Sequence, residues 1–153
     1  PCYVRLGRGA VEDVYDENYK FELGKGKVLR EGRKIALVAT GMMVQEALKA
    51  ADILSKEDIS VTVVDMPCIK PIDEELIEKI AKSHEIIITC EEHNVYGGLG
   101  SAVSEVTSKK SPVCMEMMGM QDTFGESGTP NELLAKYGLN ADHIVEKVKN
   151  ECR

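Results

Sequence analysis

Apolar residues in this chain fall into short unbroken runs separated by helical stripes. The runs are Ile35-Ala36-Leu37-Val38-Ala39, Ile59 to Val64, Glu85 to Cys90 (centred on Ile86-Ile87-Ile88) and Pro112 to Met118. Runs of that length without polar alternation mark strands buried on both faces. After the first run, Met43, Ala47, Ala50, Ala51 and Leu54 form one apolar stripe with Val44 and Leu48 beside it, which predicts a helix from Thr40-Gly41 to about Lys56. Asp73 is placed to cap a second helix, with Glu74 and Glu75 in the dipole-favoured first turn and Leu76, Ile77, Ile80 and Ala81 facing inward. A third helix is expected from about Leu99 to Ser108. Thr129-Pro130-Asn131-Glu132 opens a fourth with a capping box and Pro at the first helical position, and Tyr137-Gly138 ends it. Asn140 caps a last helix to about Asn150, with Ile144, Val145 and Val148 inward.

Two segments near the start differ. Lys27-Val28-Leu29-Arg30 is joined to Lys34–Ala39 by Glu31-Gly32-Arg33, a short glycine-containing loop that predicts a hairpin. Cys2 to Leu6 alternates and reads as an isolated strand. Val11 to Leu23 holds no helical or strand period but carries five acidic residues together with Tyr15, Tyr19 and Phe21. A plain tether favours Gly, Ser or Pro, so this segment is expected to lie on a surface through its aromatics. Strands and helices thus alternate, the pattern of an α/β fold with a parallel sheet covered on both faces and right-handed crossovers, plus one antiparallel edge strand.

Composition narrows the function. At 153 residues one domain is expected. The net charge of −7 leaves no basic excess to displace counterions, which excludes nucleic acid and anionic membrane as partners. Five cysteines (Cys2, Cys68, Cys90, Cys114, Cys152) lie far apart without C-x-x-C or metal spacing, so they fit free thiols in a reducing cytoplasm. No apolar run approaches the ~18 residues of a membrane span. The chain opens at Pro1 on a strand-like run, and we expect it to be cut from something longer.

Ligands of open α/β sheets bind beyond the carboxyl ends of the parallel strands. The richest such end here is Glu91-Glu92-His93-Asn94-Val95-Tyr96-Gly97-Gly98, ahead of the third helix. It fits acid/base work or anion binding at a helix N-terminus, but fits an interface or capping loop better. Gly97-Gly98-Leu99-Gly100 lacks the G-x-G-x-x-G spacing of a dinucleotide site, and three adjacent residues point apart too much to share a metal. Cys90 is three residues from His93 but is expected to be a buried structural thiol. His84 and His143 are expected in solvated roles, and the methionines at 42, 43, 115, 117, 118 and 120 as core or interface filler. Arg5 and Arg8 flank a glycine turn, where they fit either a phosphate site or ion pairs with the acidic segment.

Five blocks resemble the C-terminal section of transketolase, especially its split, two-polypeptide form. They are Tyr3-Val4-Arg5-Leu6-Gly7-Arg8-Gly9; Val38-Ala39-Thr40-Gly41 with Glu46-Ala47-Leu48; Ile69-Lys70-Pro71-Ile72-Asp73; Glu91-Glu92-His93 with Gly97 to Val103; and Gln121 to Gly128, the block most particular to transketolase. The resemblance implies a three-layer α/β/α domain with a five-stranded mixed sheet, mostly parallel with one antiparallel edge strand. It implies that residues 1–9 are the tail of a preceding pyrimidine-binding domain, 10–24 a linker and 25–153 the C-terminal domain. It implies that Arg8 binds the sugar phosphate, and that thiamine diphosphate and a divalent cation such as Mg are held by the other domains of a dimer. The Gly-Asp-Gly diphosphate motif is missing from this sequence. The implied partners are an N-terminal transketolase chain or domains and a second copy, with sugar phosphates as substrates of the complete cytoplasmic enzyme. This portion alone is then expected to support assembly without catalysing, with Glu91, Glu92, His93, Asn94, Tyr96, Gly97 and Gly98 as an interface or ligand loop. Related enzymes share the domain, namely 1-deoxyxylulose-5-phosphate synthase and the β chain of 2-oxo acid dehydrogenases. A free-standing module for a regulatory anion or small ligand is the competing class.

Overall fold

The computed structural model describes residues 1–4 and 11–152. Arg5 and Arg8 lie outside the described residues. In chain order the elements are β1 (Lys27–Arg30), β2 (Ile35–Ala39), α1 (Met43–Ser55), β3 (Thr62–Asp65), α2 (Glu74–Ser83), β4 (Ile86–Asn94), α3 (Leu99–Lys110), β5 (Cys114–Met120), α4 (Pro130–Lys136) and α5 (Ala141–Glu151). The strands form one sheet in the order β1-β3-β2-β4-β5. β3, β2, β4 and β5 are mutually parallel, and β1 is antiparallel at the edge.

The sheet is the middle layer. Side chains of β2 alternate between its faces. Ile35, Leu37 and Ala39 meet α1, α4 and α5 through Met43, Ala47, Ala51, Leu134, Ile144 and Val148. Ala36 and Val38 meet α2 and α3 through Ile77, Ile80, Leu99 and Val103. This is the three-layer α/β/α arrangement, and every residue of β2 is buried because both faces are covered. The caps form where the sequence placed them. Asp73 Oδ1 accepts from Leu76 N at 3.0 Å, Asn140 Oδ1 accepts from His143 N at 3.1 Å, and Thr129 and Glu132 form the capping box. The methionines are filler: Met43 is in the core, and Met115, Met118 and Met120 pack against it.

The hairpin does not form. β1 pairs with β3, not with β2, in the register Lys27↔Asp65 and Val28↔Val64. The loop after β1 crosses the amino end of β3 to reach β2. Gly32 N donates to Thr62 Oγ1 at 2.9 Å and Arg33 N donates to Ser60 O at 3.0 Å on the way. A Cβ on Gly32 would overlap the backbone of Val61, so the glycine serves a strand crossing and not a tight turn. Residues 1–4 carry no regular structure, and the rest of the strand expected over Cys2–Leu6 lies outside the described residues.

The segment before β1 is laid along the carboxyl end of the sheet. Tyr15 Oη donates to Asp65 Oδ2 at 2.6 Å, Val14 packs against the core, and Gln45 at the start of α1 donates to the Glu12 carbonyl. Tyr15 and Tyr19 stack with ring centroids 3.7 Å apart, and the Lys27 ammonium sits about 5 Å over both. At the end of this segment Gly26 N donates to Asp73 Oδ2 at 3.1 Å. Asp73 therefore starts α2 with one oxygen and fixes the entry to β1 with the other.

Candidate functional site

The carboxyl ends of β3, β2, β4 and β5 share one pole of the molecule, and the polar segment singled out in the sequence lies there. Its first four residues are not loop. β4 continues through Asn94, which pairs with Met120 of β5 beyond an irregularity after Cys90. Glu91 is consequently drawn into the sheet and is fully buried, while Glu92 and His93 are exposed.

A buried carboxylate is tolerated only with strong partners, and Glu91 has them. Its Oε2 accepts from Leu99 N at 2.7 Å and its Oε1 from Gly100 N at 2.8 Å, both backbone amides of the first turn of α3. The negative charge thus sits on the positive end of the helix and satisfies two amides that lack intrahelical partners. Gly98 makes room for it, and Gly100 lets the helix start close on the sheet. A Cβ on Gly98 would collide with the Glu91 carboxylate, and one on Gly100 would meet Met117 and Thr89 at 2.8–2.9 Å. The position that resembled an anion cradle is filled by the protein's own anion.

The remaining side chains brace the surface. His93 Nδ1 donates to the Asn94 carbonyl at 2.8 Å and lies 4.0 Å from Glu91 Oε2. Asn94 Nδ2 donates to Asp122 Oδ1 at 2.8 Å, tying the loop after β4 to the loop after β5, and Asn94 Oδ1 accepts from Tyr96 N at 2.8 Å. Gly97 adopts φ +82 and its N–H donates to Ser101 Oγ at 2.9 Å, which in turn donates to the Val95 carbonyl. The Tyr96 ring projects outward and is 73% exposed.

Cys90 is fully buried on the core side of Glu91. Burial, with the Glu91 charge adding to it, pushes its thiol up to about 12. A thiol so reluctant to ionise is not a nucleophile, which fits the structural role expected for it. Cys2, Cys114 and Cys152 are exposed and, like Cys68 and Cys90, unpaired. The histidines outside the site are less free than expected. His84 Nε2 hydrogen-bonds Thr62 Oγ1 at 2.7 Å and its Nδ1 bonds the Ile80 carbonyl at 3.0 Å, so this ring links α2 to the start of β3. His143 Nδ1 bonds its own cap, Asn140 Oδ1, at 2.6 Å.

Asp65 is the group at this pole that sequence reasoning missed. It is nearly buried at the end of β3, and burial raises its carboxyl above the ordinary range while the Tyr15 hydrogen bond pulls it back. Tyr15 is raised in turn by burial and by the Asp65 carboxylate. A strand-terminal Asp opposite a tyrosine-bearing acidic segment was the available signal, but nothing local in the sequence pairs residues fifty apart. Among the described residues no three His, Cys, Asp or Glu side chains converge to hold a metal, and no helix is long and apolar enough to cross a membrane.

Comparison with known proteins adds what this geometry leaves open. A family model for the transketolase C-terminal domain matches residues 24–144. The chain is 42% identical along its whole length to a Methanocaldococcus jannaschii protein that carries the name of a transketolase C-terminal section, of which it covers 48%. It is 39% identical over 97% of its length to a 1-deoxy-D-xylulose-5-phosphate synthase of Histophilus somni and covers 24% of that enzyme. A solved split-gene transketolase, described as an inactive β4 tetramer, superposes with a TM-score of 0.89 at 46% identity over 94% of this chain and 47% of that one. The chain thus spans about half the length, or less, of these relatives. Because the family match runs through every strand of the sheet and the helices α1 to α4, the chain belongs to the transketolase C-terminal domain family.

Proposed function

We propose that this chain is the C-terminal, assembly-supporting portion of a thiamine-diphosphate-dependent transketolase, which moves a two-carbon ketol unit between sugar phosphates in the cytoplasm. The observation that carries this reading is the inward turn of Glu91. Its carboxylate is consumed by the α3 N-terminus, so the best-furnished strand end of the domain is built for rigidity. The same contact argues against a free-standing anion-binding module, since the amides such a module would offer are taken.

The residues described do not fit the diphosphate cofactor or its cation. A diphosphate needs free backbone amides or cationic side chains, and a divalent cation needs converging oxygen ligands. The pole offers a helix start already neutralised by Glu91 and the nearly buried carboxylates of Asp65, covered by Tyr15, and Asp73, taken up by the amides of Leu76 and Gly26. Thiamine diphosphate and Mg accordingly belong to an N-terminal chain or domains, and the working unit is a dimer of the complete enzyme. The Gln121–Gly128 block favours transketolase over its relatives. Arg8 is the residue we assign to the substrate phosphate, and residues 1–9, 10–24 and 25–153 are the tail of the preceding domain, the linker and the C-terminal domain.

The test is reconstitution. The polypeptide carrying this sequence, combined with the chain or domains bearing the thiamine site, is expected to transfer ketol units from a ketose phosphate to an aldose phosphate. Activity with pyruvate and none with ketose phosphates would move the assignment to a related enzyme. Saturable thiamine diphosphate binding by the 153-residue chain alone would refute the division of labour. In the active assembly Arg8→Ala should raise KM for phosphorylated substrates by roughly 10–150-fold, the equivalent of about 1.5–3 kcal/mol for one charge-assisted hydrogen bond. An unchanged KM would remove Arg8 from the site.

A further inference from the structure

The amino ends of β2 and β3 flank a cleft of about 530 Å³, at the pole opposite the polar loops. That volume is in the range of small-molecule sites. The floor is apolar: Ile35 and Val61 are buried, and Ile59 is half-buried against the core. The rim is charged. Arg33 and Lys34 come from the loop before β2 and Asp58 and Ser60 from the loop after α1. Cys152, the C-cap of α5, completes the lining.

The charges on this rim are unmet. Among the described residues no carboxylate lies within ion-pair distance of Arg33 or Lys34, and no cation within that distance of Asp58. The adjoining Glu57, by contrast, pairs with Lys149 at 2.7 Å. Two cations against one carboxylate leave a positive rim above an apolar floor.

The walls are set before any ligand arrives. Arg33 N donates to the Ser60 carbonyl at 3.0 Å and so joins the two loops. The Lys34 carbonyl accepts from Glu85 N at 2.7 Å and Ile86 N at 3.1 Å, and Ile59 N donates to the Leu54 carbonyl at 3.1 Å. Between these bonds Lys34 and Asp58 are held at φ 62 and φ 60, a left-handed conformation that residues other than glycine rarely adopt. Among the described residues Asp122 alone shares it outside the glycines. Backbone held off its preferred conformation clusters at ligand sites.

We infer that this cleft binds a small amphipathic anion, with an apolar ring or chain for the floor and a sulfonate, carboxylate or phosphate for Arg33 and Lys34. A bare inorganic anion leaves the floor in water, and a neutral apolar body leaves both cations without a partner. The cleft is remote from the strand-end loop whose amides Glu91 takes, and the inference does not depend on ketol transfer.

The probe is anilinonaphthalene sulfonate, which has both parts, and the sample is the full-length polypeptide carrying this sequence. Its fluorescence should rise saturably. At ten times its Kd it should slow alkylation of Cys152 by iodoacetamide about tenfold, as mass action requires when the bound state shuts out the reagent. Cys114, exposed on β5, should keep its rate. Arg33→Ala and Lys34→Asn should each weaken binding roughly tenfold or more, the loss of one charge-assisted contact. Thermal unfolding should not change, because both side chains are exposed and Asn accepts the left-handed conformation. The uncharged phenylnaphthylamine should bind parent and variants alike, and Ser60→Trp, which fills the cleft, should abolish binding of both probes. Absence of saturable binding would overturn the inference. So would binding that leaves Cys152 unprotected, which places the probe on the exposed apolar residues of the other pole, or equal binding by the charge variants. A Cys152 already closed to iodoacetamide without probe would mean that the chain itself fills the cleft, and would overturn it too.

Discussion

Replacing Glu91 tests the central reading most directly. Its carboxylate accepts two amide hydrogen bonds of 2.7 and 2.8 Å inside a fully buried pocket at the start of α3. Each charge-assisted bond is worth about 1.5–3 kcal/mol, and a charge at a partly buried helix terminus adds up to ~2 kcal/mol. Glu91→Gln keeps the shape and one acceptor oxygen but turns an NH2 group toward an amide donor. We expect a loss of about 2–4 kcal/mol, or roughly 4–16 °C in Tm for a chain of this size. Glu91→Ala should cost more, since it leaves two buried amides unpaired and opens a cavity. That vacancy supplies a second readout. Formate or acetate, which reproduce the missing carboxylate, should raise the Tm of Glu91→Ala with increasing concentration and leave the parent unmoved. Urea and thermal unfolding of the full-length polypeptide measure both effects. A Glu91→Gln protein within about 0.5 kcal/mol of the parent, the range of ordinary surface changes, would refute the claim that this carboxylate anchors α3.

Three further outcomes are expected. Asp73→Ala removes the α2 cap and the Gly26 anchor together, so urea unfolding should show a loss of about 1.5–3 kcal/mol, against ~1 kcal/mol for a cap alone. The Cys90 thiol, raised by burial from 9.0 to about 12, should resist alkylation in the native protein while the exposed Cys114 reacts. Because its folded value is the higher one, the stability it protects is whole below 9.0 and declines as pH rises toward about 12, which unfolding at pH 8 and 10 will show. Tyr15→Phe leaves Asp65 buried without its phenol donor, and amide exchange across residues 11–23 should quicken while the core is unchanged.

Much of the fold was legible because it is written locally. The apolar runs of β2 to β5, the stripe of α1 and the caps at Asp73, Thr129 and Asn140 each depend on residues within a few positions of one another. What failed depends on distance. Lys27–Arg30 has the composition of a hairpin strand, and only the passage of Gly32 over Val61 shows that β3 lies between it and β2. Glu91 looked like a loop residue because a glutamate after an isoleucine run normally ends a strand. Its burial follows from the amides of Leu99 and Gly100, eight and nine residues on. His84 looked solvated at a helix end for the same reason, its partner Thr62 being on another element.

The crossing at Gly32 has a consequence for the order in which the chain is assembled. β1 leaves the ribosome first among the strands, but its pairing edge belongs to β3, whose register partner Asp65 comes 38 positions after Lys27. Until that stretch is synthesised, β1 and the tyrosine-bearing segment ahead of it have nothing to pair with. The loop that must close is long and its entropy is spent before any contact rewards it. The amino-terminal edge of this domain is thus made early but left waiting for its partner, and co-translational folding should register compaction only once β3 has emerged.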